Sequence, residues 1–402
     1  MSYRNKVKKN IPKVELHSIM SLVVGTYKAG KTRLWKEVIE LHYPNEPNAA
    51  LLIAFEPGYE TWELENVIPI LEEGSNDDEW KVWESFKKEI VPGLIEEAKK
   101  ERVVKLIGID TADRCIDAAT SWIINSLSKK YAKKFASLQE ISDNTPENGW
   151  TLLYNEMKRQ FDALRNAGYG IMALAWTKEK ETTLYDGKKY NSVELMMHNT
   201  GRKVFESQSS FICCLFNEVR ILDREGNELE ENITNKRGKE VGTKFHETEP
   251  YMYFRPSQYV SIAGGRYTNL PEKTPYSAEN YLKVFEEAVK GQLSKTKESI
   301  SQLKDKEQQE KEDKIKDVKE EIQEQEKVTE EVFENTQEAT EKTVEERIAD
   351  IVELIRVEAH KKVDELGVST KDVAKVLTDR KLKFDTIEEA EKNLELVKNF
   401  TK

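Results

Sequence analysis

The 402-residue chain holds only three cysteines, eleven prolines and no apolar run approaching twenty residues. Cys115, Cys213 and Cys214 are too few and too poorly spaced for a thiolate zinc site, and their odd number argues against a disulfide framework. The opening MSYRNKVKKNIPK has no apolar core of the sort that a secretory leader needs, and nothing reads as a membrane-spanning helix. The expectation is a protein of a reducing cytoplasm, away from membranes. No global basic excess advertises nucleic acid either, since the formal net charge is −11. That acidity is uneven. Residues 291–345 carry 17 acids against 10 bases and residues 346–402 carry 13 against 12, so residues 1–290 are close to neutral and free to carry local basic faces.

What is present begins with SLVVGTYKAGKTRLWKEV, residues 21–38. Gly25-x-x-x-x-Gly30-Lys31-Thr32 is a full match to a phosphate-binding loop, G-x-x-x-x-G-K-[ST]. The glycines let the backbone curl so that successive N–H groups face phosphate oxygens, and the following helix adds its free N–H groups and the positive end of its dipole. Gly25, Thr26, Tyr27, Lys28, Ala29 and Gly30 would wrap the phosphates of ATP, with Lys31, Thr32 and Arg33 opening the helix. Lys31 would reach the β- and γ-phosphates, and the Thr32 hydroxyl would ligate Mg²⁺. Lys28 is either a supplementary phosphate contact or a solvated side chain. The context fits: residues 20–24 read as a buried strand, and Leu34, Val38 and Leu41 have helical spacing.

Residues 1–290 alternate strand and helix signals, which predicts an α/β domain with a largely parallel sheet and a β-rich second half. AALLIAFE (49–56) and VVKLIGIDTADRC (103–115) read as buried strands, and a Trp-rich amphipathic helix is expected between them over 78–100, interrupted near Pro92-Gly93. A helix is expected over 150–167 and a strand over 169–181. Beyond that the turn signals YDGKKY, REGNE, KRGKE and AGGRY punctuate short strands, FICCLFNEVRIL and PYMYFRP among them. Ser277 caps a closing helix to Val289. Residues 291–343 form an acidic linker rich in Lys, Glu and Gln with no Gly or Pro after Gly291, either a solvated helix or a tether. Residues 344–402 regain amphipathicity in three pieces, a small three-helix module suited to binding a partner.

A phosphate loop hydrolyses ATP only with acids beside it. One must organise Mg²⁺, another must orient the attacking water, and a polar group must sense the γ-phosphate. Asp110 ends LIGID and is the candidate for the Mg²⁺-linked acid. Glu56 ends LLIAFE and would activate water, with Glu60 as a nearby alternative. Thr177 ends IMALAWT as the candidate sensor or an ordinary turn residue. Polar groups at the C-terminal ends of apolar strands are where an open parallel sheet binds its ligands.

These residues resemble the RecA-like P-loop ATPase core, and LLIAFEPGYE is similar to the stretch carrying that family's catalytic glutamate. The ending GGRYTNLPEKTPYSAENYLKVFEEAV resembles phage-encoded, single-domain RecA-like proteins associated with recombination and single-strand annealing. The resemblance covers about residues 15–290. It implies ATP and Mg²⁺ as cofactors, homo-oligomers, single-stranded DNA, and a single-strand-binding or other phage recombination or replication protein as partners, the last reached through the C-terminal region. The implied setting is the cytoplasm of an infected bacterial host. The chain departs from RecA in offering Trp176-Thr177 where RecA carries a glutamine sensor. RecA-like assemblies complete their sites with a basic residue of a neighbouring subunit, and Arg266, Lys273, Lys178 and Lys180 are the candidates here.

For DNA, SLSKKYAKKFASL (126–138) places Lys129, Lys130, Lys133 and Lys134 around Tyr131 and Phe135. Lysines neutralise phosphates while rings stack on bases. On a helix the two rings fall at i and i+4 and could equally face the core. The YDGKKY hairpin (185–190) and the pair Arg202-Lys203 are the other options. Annealing, helicase loading on a protein partner and a non-hydrolysing nucleotide-dependent scaffold are all compatible with this set of motifs.

Overall fold

The computed structural model describes residues 12–309, except 74–77, 184–186, 223–244, 258–259, 294–298 and 308, together with residue 7 and five isolated positions beyond 350. Ten strands are defined: β1 (Met20–Gly25), β2 (Ala50–Ala54), β3 (Val67–Ile68), β4 (Leu106–Asp110), β5 (Gly170–Thr183), β6 (Lys189–Leu195), β7 (Phe211–Leu222), β8 (Phe245–Tyr253), β9 (Gly264–Gly265) and β10 (Lys273–Pro275). The α-helices are α1 (Lys31–His42), α2 (Glu79–Ser85), α3 (Val91–Lys100), α4 (Ala112–Lys130), α5 (Leu138–Asn144), α6 (Gly149–Asn166), α7 (Asn199–Val204) and α8 (Ala278–Gln292).

The sheet order is β10-β8-β7-β1-β5-β4-β2-β3. From β7 through β3 every pairing is parallel, and β8 and β10 add an antiparallel edge. The short β9 pairs antiparallel with β7, and β6 with β5. The central strands are buried along their whole length, which is why they read as continuous apolar runs rather than alternating ones. After β1 the chain jumps outward to β2 and β3, steps back inward through β4 and β5, and then crosses to the other side of β1 as β7. That reversal of direction at β1 makes the crevice at its C-terminal end the expected ligand site.

One face of the sheet carries α1 and α8. Leu34, Trp35 and Val38 of α1 and Tyr281, Val284, Phe285 and Ala288 of α8 share a core with Val23, Leu52, Met172, Phe211 and Phe254. Gly108 matters here. A Cβ on it would stand 2.8 Å from a Leu52 methyl and 2.9 Å from the Trp35 ring, so only glycine lets that indole lie against β4. The opposite face is sealed by an aromatic chain running Phe55–Phe86–Phe161–Phe205, with Trp83 against Phe86.

The helix expected over 78–100 is not broken at Pro92. A π-helical turn, Phe86–Ile90, joins α2 to α3, and Pro92 sits in the first turn of α3, where its missing N–H costs least. The strand expected over 169–181 likewise runs further. Its first half lies in the parallel sheet, and from Thr177 onward it leaves to form an antiparallel ribbon with β6. The turns REGNE and KRGKE lie outside the described residues.

Contacts along the chain divide it into two units, Met1–Ile322 and Gln323–Lys402. The first unit continues past residue 290, where the composition changes. Residues 300–307 are helical, Leu303 is buried, and the Glu307 carboxylate accepts from the Val14 N–H and the Ser18 hydroxyl, both at 2.7 Å. The rest of the linker, and the three helices expected over 344–402, lie outside the described residues. No helix among the described residues is long and apolar enough to cross a membrane.

Candidate functional site

The loop after β1 has the geometry that its glycines predict. Lys28 and Gly30 adopt left-handed backbone conformations (φ 61° and 93°), which turn successive N–H groups toward a common concavity. Gly30 opens α1 as its N-cap without a side-chain partner, so the helix's first N–H groups are free for an anion. Gly25 is required by crowding, since a Cβ there would meet Ala29 and Leu215 at 3.0–3.2 Å. The Tyr276 hydroxyl, just before α8, donates to the Gly30 carbonyl at 3.0 Å and braces the loop from outside. Lys31 is buried. Its ammonium donates to the Gly25 and Thr26 carbonyls at 3.1 and 2.9 Å. Burial pushes its pKa down, opposed by the carboxylates of Asp110, Glu56 and Asp113.

Thr32 and Asp110 are 78 positions apart, yet the Thr32 hydroxyl donates to Asp110 Oδ2 at 2.7 Å. The N–H groups of Phe55 and Glu56 both donate to the Asp110 carbonyl, at 2.6 and 3.1 Å, which fixes the end of β2 against the end of β4. The Asp110–Thr111 peptide is cis. The Thr111 hydroxyl donates to Glu56 Oε2 at 3.4 Å. Thr32, Asp110 and Glu56 therefore meet, as the sequence predicts. Glu60 lies a helical turn further on, its N–H bonded to the Pro57 carbonyl.

Gly58 marks the space between them. A Cβ built on it would lie 3.4 Å from Thr32 Oγ1 and 3.8 Å from both Asp110 Oδ2 and Glu56 Oε1, so a hydrogen atom is all that occupies this side of the three oxygens. Asp110 Oδ1 is buried with no hydrogen-bond partner among the described residues. Burial raises the pKa of Asp110, and burial together with the Asp110 charge raises Glu56 from 4.5 to about 7. An unpartnered carboxylate oxygen, a hydroxyl on its neighbouring oxygen and a second carboxylate close by are hard oxygen donors that fit a cation such as Mg²⁺. Thr32 and Asp110 are the residues that would hold it.

Two features escaped the reading of the sequence. Asp113, three residues after Asp110, is buried and accepts from the Trp176 N–H at 2.7 Å, while its other oxygen has no hydrogen-bond partner among the described residues. Burial raises its pKa to about 6. The signal was the second acid of DTADR, which falls one helical turn beyond the first. Tyr27, 58% exposed on the loop, packs against Trp176 (centroids 4.8 Å apart) and reaches the Met196 sulfur at 3.5 Å. The loop thus touches both strands of the ribbon's base. Trp176 pairs with Gly25 in the sheet, and Thr177 follows it, buried, its hydroxyl without a hydrogen-bond partner among the described residues. Thr177 is not the end of a strand but the point where β5 passes from sheet to ribbon, still beside the loop.

Other predicted residues lie elsewhere. Arg33 bonds Glu37 at 2.7 Å and lies over the Tyr276 ring. Arg266 donates to the Ser207 carbonyl, Lys273 pairs with Glu218 at 2.5 Å, and Lys180 with Glu194 at 3.1 Å. The lysine-rich stretch is not one helix. α4 stops at Lys130, Ala132 takes a positive φ, and Phe135 is buried in the core. Lys130 pairs with Glu147 at 2.9 Å, Lys133 bonds Asn144 at 3.2 Å, and Lys129 lies over Trp80. α4 starts at the Asp110 edge of the sheet and its 19 residues carry the chain about 28 Å away, so this stretch ends at the opposite edge from the phosphate loop. Cys213 and Cys214 are buried in β7, and Cys115 is buried in α4.

A parallel sheet with a phosphate loop at its switch point, and with paired acids on the neighbouring strand ends, defines a P-loop ATPase. The AAA domain profile matches residues 17–255, well over half of the chain, and the chain belongs to that family. Comparison with curated proteins returns no match.

Proposed function

We propose that this AAA-domain protein hydrolyses ATP with Mg²⁺ and that turnover is coupled to single-stranded DNA in phage recombination or annealing. The observation that carries hydrolysis is the convergence of Thr32, Asp110 and Glu56 around the space at Gly58. The phosphate chain of ATP lies on the N–H groups of residues 25–32, and Lys31 exchanges its two loop carbonyls for phosphate oxygens. A cation held by Thr32 and Asp110 would supply neutralisation of the charge that develops on the phosphates. Glu56, ionised, accepts a hydrogen bond from the attacking water and holds it in line with the γ-phosphate. Thr177 and the Asp113–Trp176 bond flank the loop on the β5 side.

The DNA reading rests on the ribbon. β5 runs from the loop's neighbour Trp176 into the ribbon with β6, which exposes residues 178–181 of β5 and 189–191 of β6, Lys178 and Tyr190 among them. A cation for phosphates and a ring for bases are the two terms that hold a single strand. A strand of DNA laid there would act on the ATP site through Trp176 and Tyr27. The unit Gln323–Lys402 recruits a partner protein, and homo-oligomers place a basic residue of one subunit at the ATP of the next.

The test is ATP turnover by the full chain with and without single-stranded DNA, with Lys31→Ala as control. Turnover that rises with DNA, vanishes in the control, and loses its stimulation in Lys178→Glu/Tyr190→Ala supports the reading. DNA-independent turnover sinks the DNA coupling while leaving the ATPase. Nucleotide binding with no turnover in any condition sinks hydrolysis and points to a nucleotide-dependent scaffold.

A further inference from the structure

A second cluster of ligand-type side chains lies at the far end of α1, unrelated to the ATP site. His42 closes that helix, and Glu15 and His17 come from the segment that leads into β1. One ligand atom from each of the three lies within 4.8 Å of the other two. His17 Nδ1 and His42 Nε2 each stand 3.9 Å from the same carboxylate oxygen, Glu15 Oε2. Two imidazole nitrogens and a carboxylate oxygen facing one point are the donors of a zinc-type site. Metal–ligand distances of about 2.0–2.2 Å would draw these atoms together only by a few tenths of an ångström each.

The surroundings orient the three groups. The His42 ring packs edge-on against Tyr43, with centroids 4.7 Å apart. The Tyr43 hydroxyl lies 3.1 Å from His17 Nδ1 and holds that ring in place. A bound ion would take that hydrogen bond's place on Nδ1, whose single in-plane lone pair cannot serve both. The Lys304 ammonium holds the other Glu15 oxygen at 2.8 Å, which orients the carboxylate and leaves Oε2 toward the histidines.

We infer that Glu15, His17 and His42 form a binding site for a divalent transition metal of the zinc class. Its role is a clamp rather than a catalyst. α1 is 12 residues long, so the site lies about 18 Å from the phosphate loop. An ion there would tie the lead-in to β1 to the end of the phosphate-loop helix. Through Lys304 and Glu307 it would also secure the helical residues 300–307 against residues 14–18.

The experiment uses the full chain, stripped with a chelator, reloaded with Zn²⁺ alone or Co²⁺ alone, and dialysed free of excess. The expected result is one ion retained per chain and the strong visible absorption of tetrahedral, nitrogen-ligated cobalt. His17→Gln and His42→Gln should each weaken retention by more than the roughly 10- to 100-fold that loss of an outer-sphere partner costs. Binding of ATP should be unchanged in both variants, which also shows that they are folded. If either variant fails to fold, the cobalt spectrum of the unaltered chain decides. A weak octahedral spectrum, no ion retained by the unaltered chain, or retention in either variant equal to that of the unaltered chain would overturn the inference. Retention that is lost in Asp110→Asn but kept in His42→Gln would overturn it too, by placing the ion at the ATP site.

Discussion

Replacing Glu56 with glutamine should move activity and stability in opposite directions, with both effects depending on pH. In the folded protein the Glu56 carboxyl is raised from 4.5 to about 7, first by burial and then by the Asp110 charge. Taken at face value, that span penalises the charged form by roughly 3 kcal/mol. Part of the carboxylate faces water, and screening there reduces the figure to about 1–2 kcal/mol. The sign is that of an acid whose folded pKa lies above its unfolded one. The folded state holds the proton more tightly, so stability falls as pH rises from about 4.5 through 7. Glutamine keeps the shape and removes that loss. Without nucleotide or Mg²⁺, Glu56→Gln should melt about 2–4 °C above the parent at pH 8, and at the same temperature as the parent near pH 4.5. ATP turnover should meanwhile fall by about 10²–10⁴, the range expected for losing a group that positions or activates water. In the parent, kcat/KM for ATP should rise with pH along an acid limb near 7, reporting ionisation of Glu56 in the free enzyme, and the variant's residual rate should lack that limb. Thermal unfolding at the two pH values and a steady-state phosphate-release assay provide all three readouts. A variant that loses both activity and stability at pH 8 would refute the reasoning, because Glu56 would then be a structural partner of Thr111 rather than a strained functional acid.

Gly58→Ala should leave the melting temperature within about 1 °C, since its Cβ meets oxygens only at 3.4–3.8 Å, yet raise the Mg²⁺ concentration needed for half-maximal turnover by roughly 10-fold or more; an unchanged Mg²⁺ titration would place the cation elsewhere. Gly108→Ala should do the reverse, costing about 1–3 kcal/mol of stability through its 2.8–2.9 Å clash with Leu52 and Trp35, and a melting curve that overlays the parent's would contradict the packing described. Asp113→Asn keeps the shape but replaces a charged acceptor of the Trp176 N–H with a neutral one. A loss of DNA stimulation with basal turnover retained is expected, and equal loss of both would assign Asp113 to the chemistry itself. Charge reversal at Lys130 and Lys133, which already have partners at the opposite edge of the sheet, should change single-strand affinity by less than about threefold; a drop that also flattens the salt dependence would return the DNA path to α4.

Much of the ATP site was legible in the sequence because its determinants are local. Gly25 to Thr32 specify a loop by backbone conformation and spacing, and buried parallel strands announce themselves as apolar runs whose last residue is polar. That is how Asp110 and Glu56 could be named without coordinates. Thr177 shows where such reading weakens: the apolar run ends there, but the strand continues, because pairing with β6 holds the backbone extended after burial has ceased. The lysine-rich stretch shows the same limit. Its i, i+4 rings suggest a helix, yet Ala132 ends it, and the acids that engage Lys130 and Lys133 come from residues 140–147, which no local pattern connects to them.

What the sequence determined by itself was the loop, the buried apolar strands that flank it, and the acids at their ends. The tertiary structure alone decided which of those ends lie side by side. Inserting β5 between β1 and β4 put Trp176 and Thr177 against the phosphate loop. It also brought Asp113 under Trp176, and Gly58 over the oxygens of Thr32, Asp110 and Glu56. The reason is physical. A strand's burial is fixed by its own residues, but its neighbour is chosen by how the whole chain crosses the sheet, and a site assembled from five segments exists only once that choice is made.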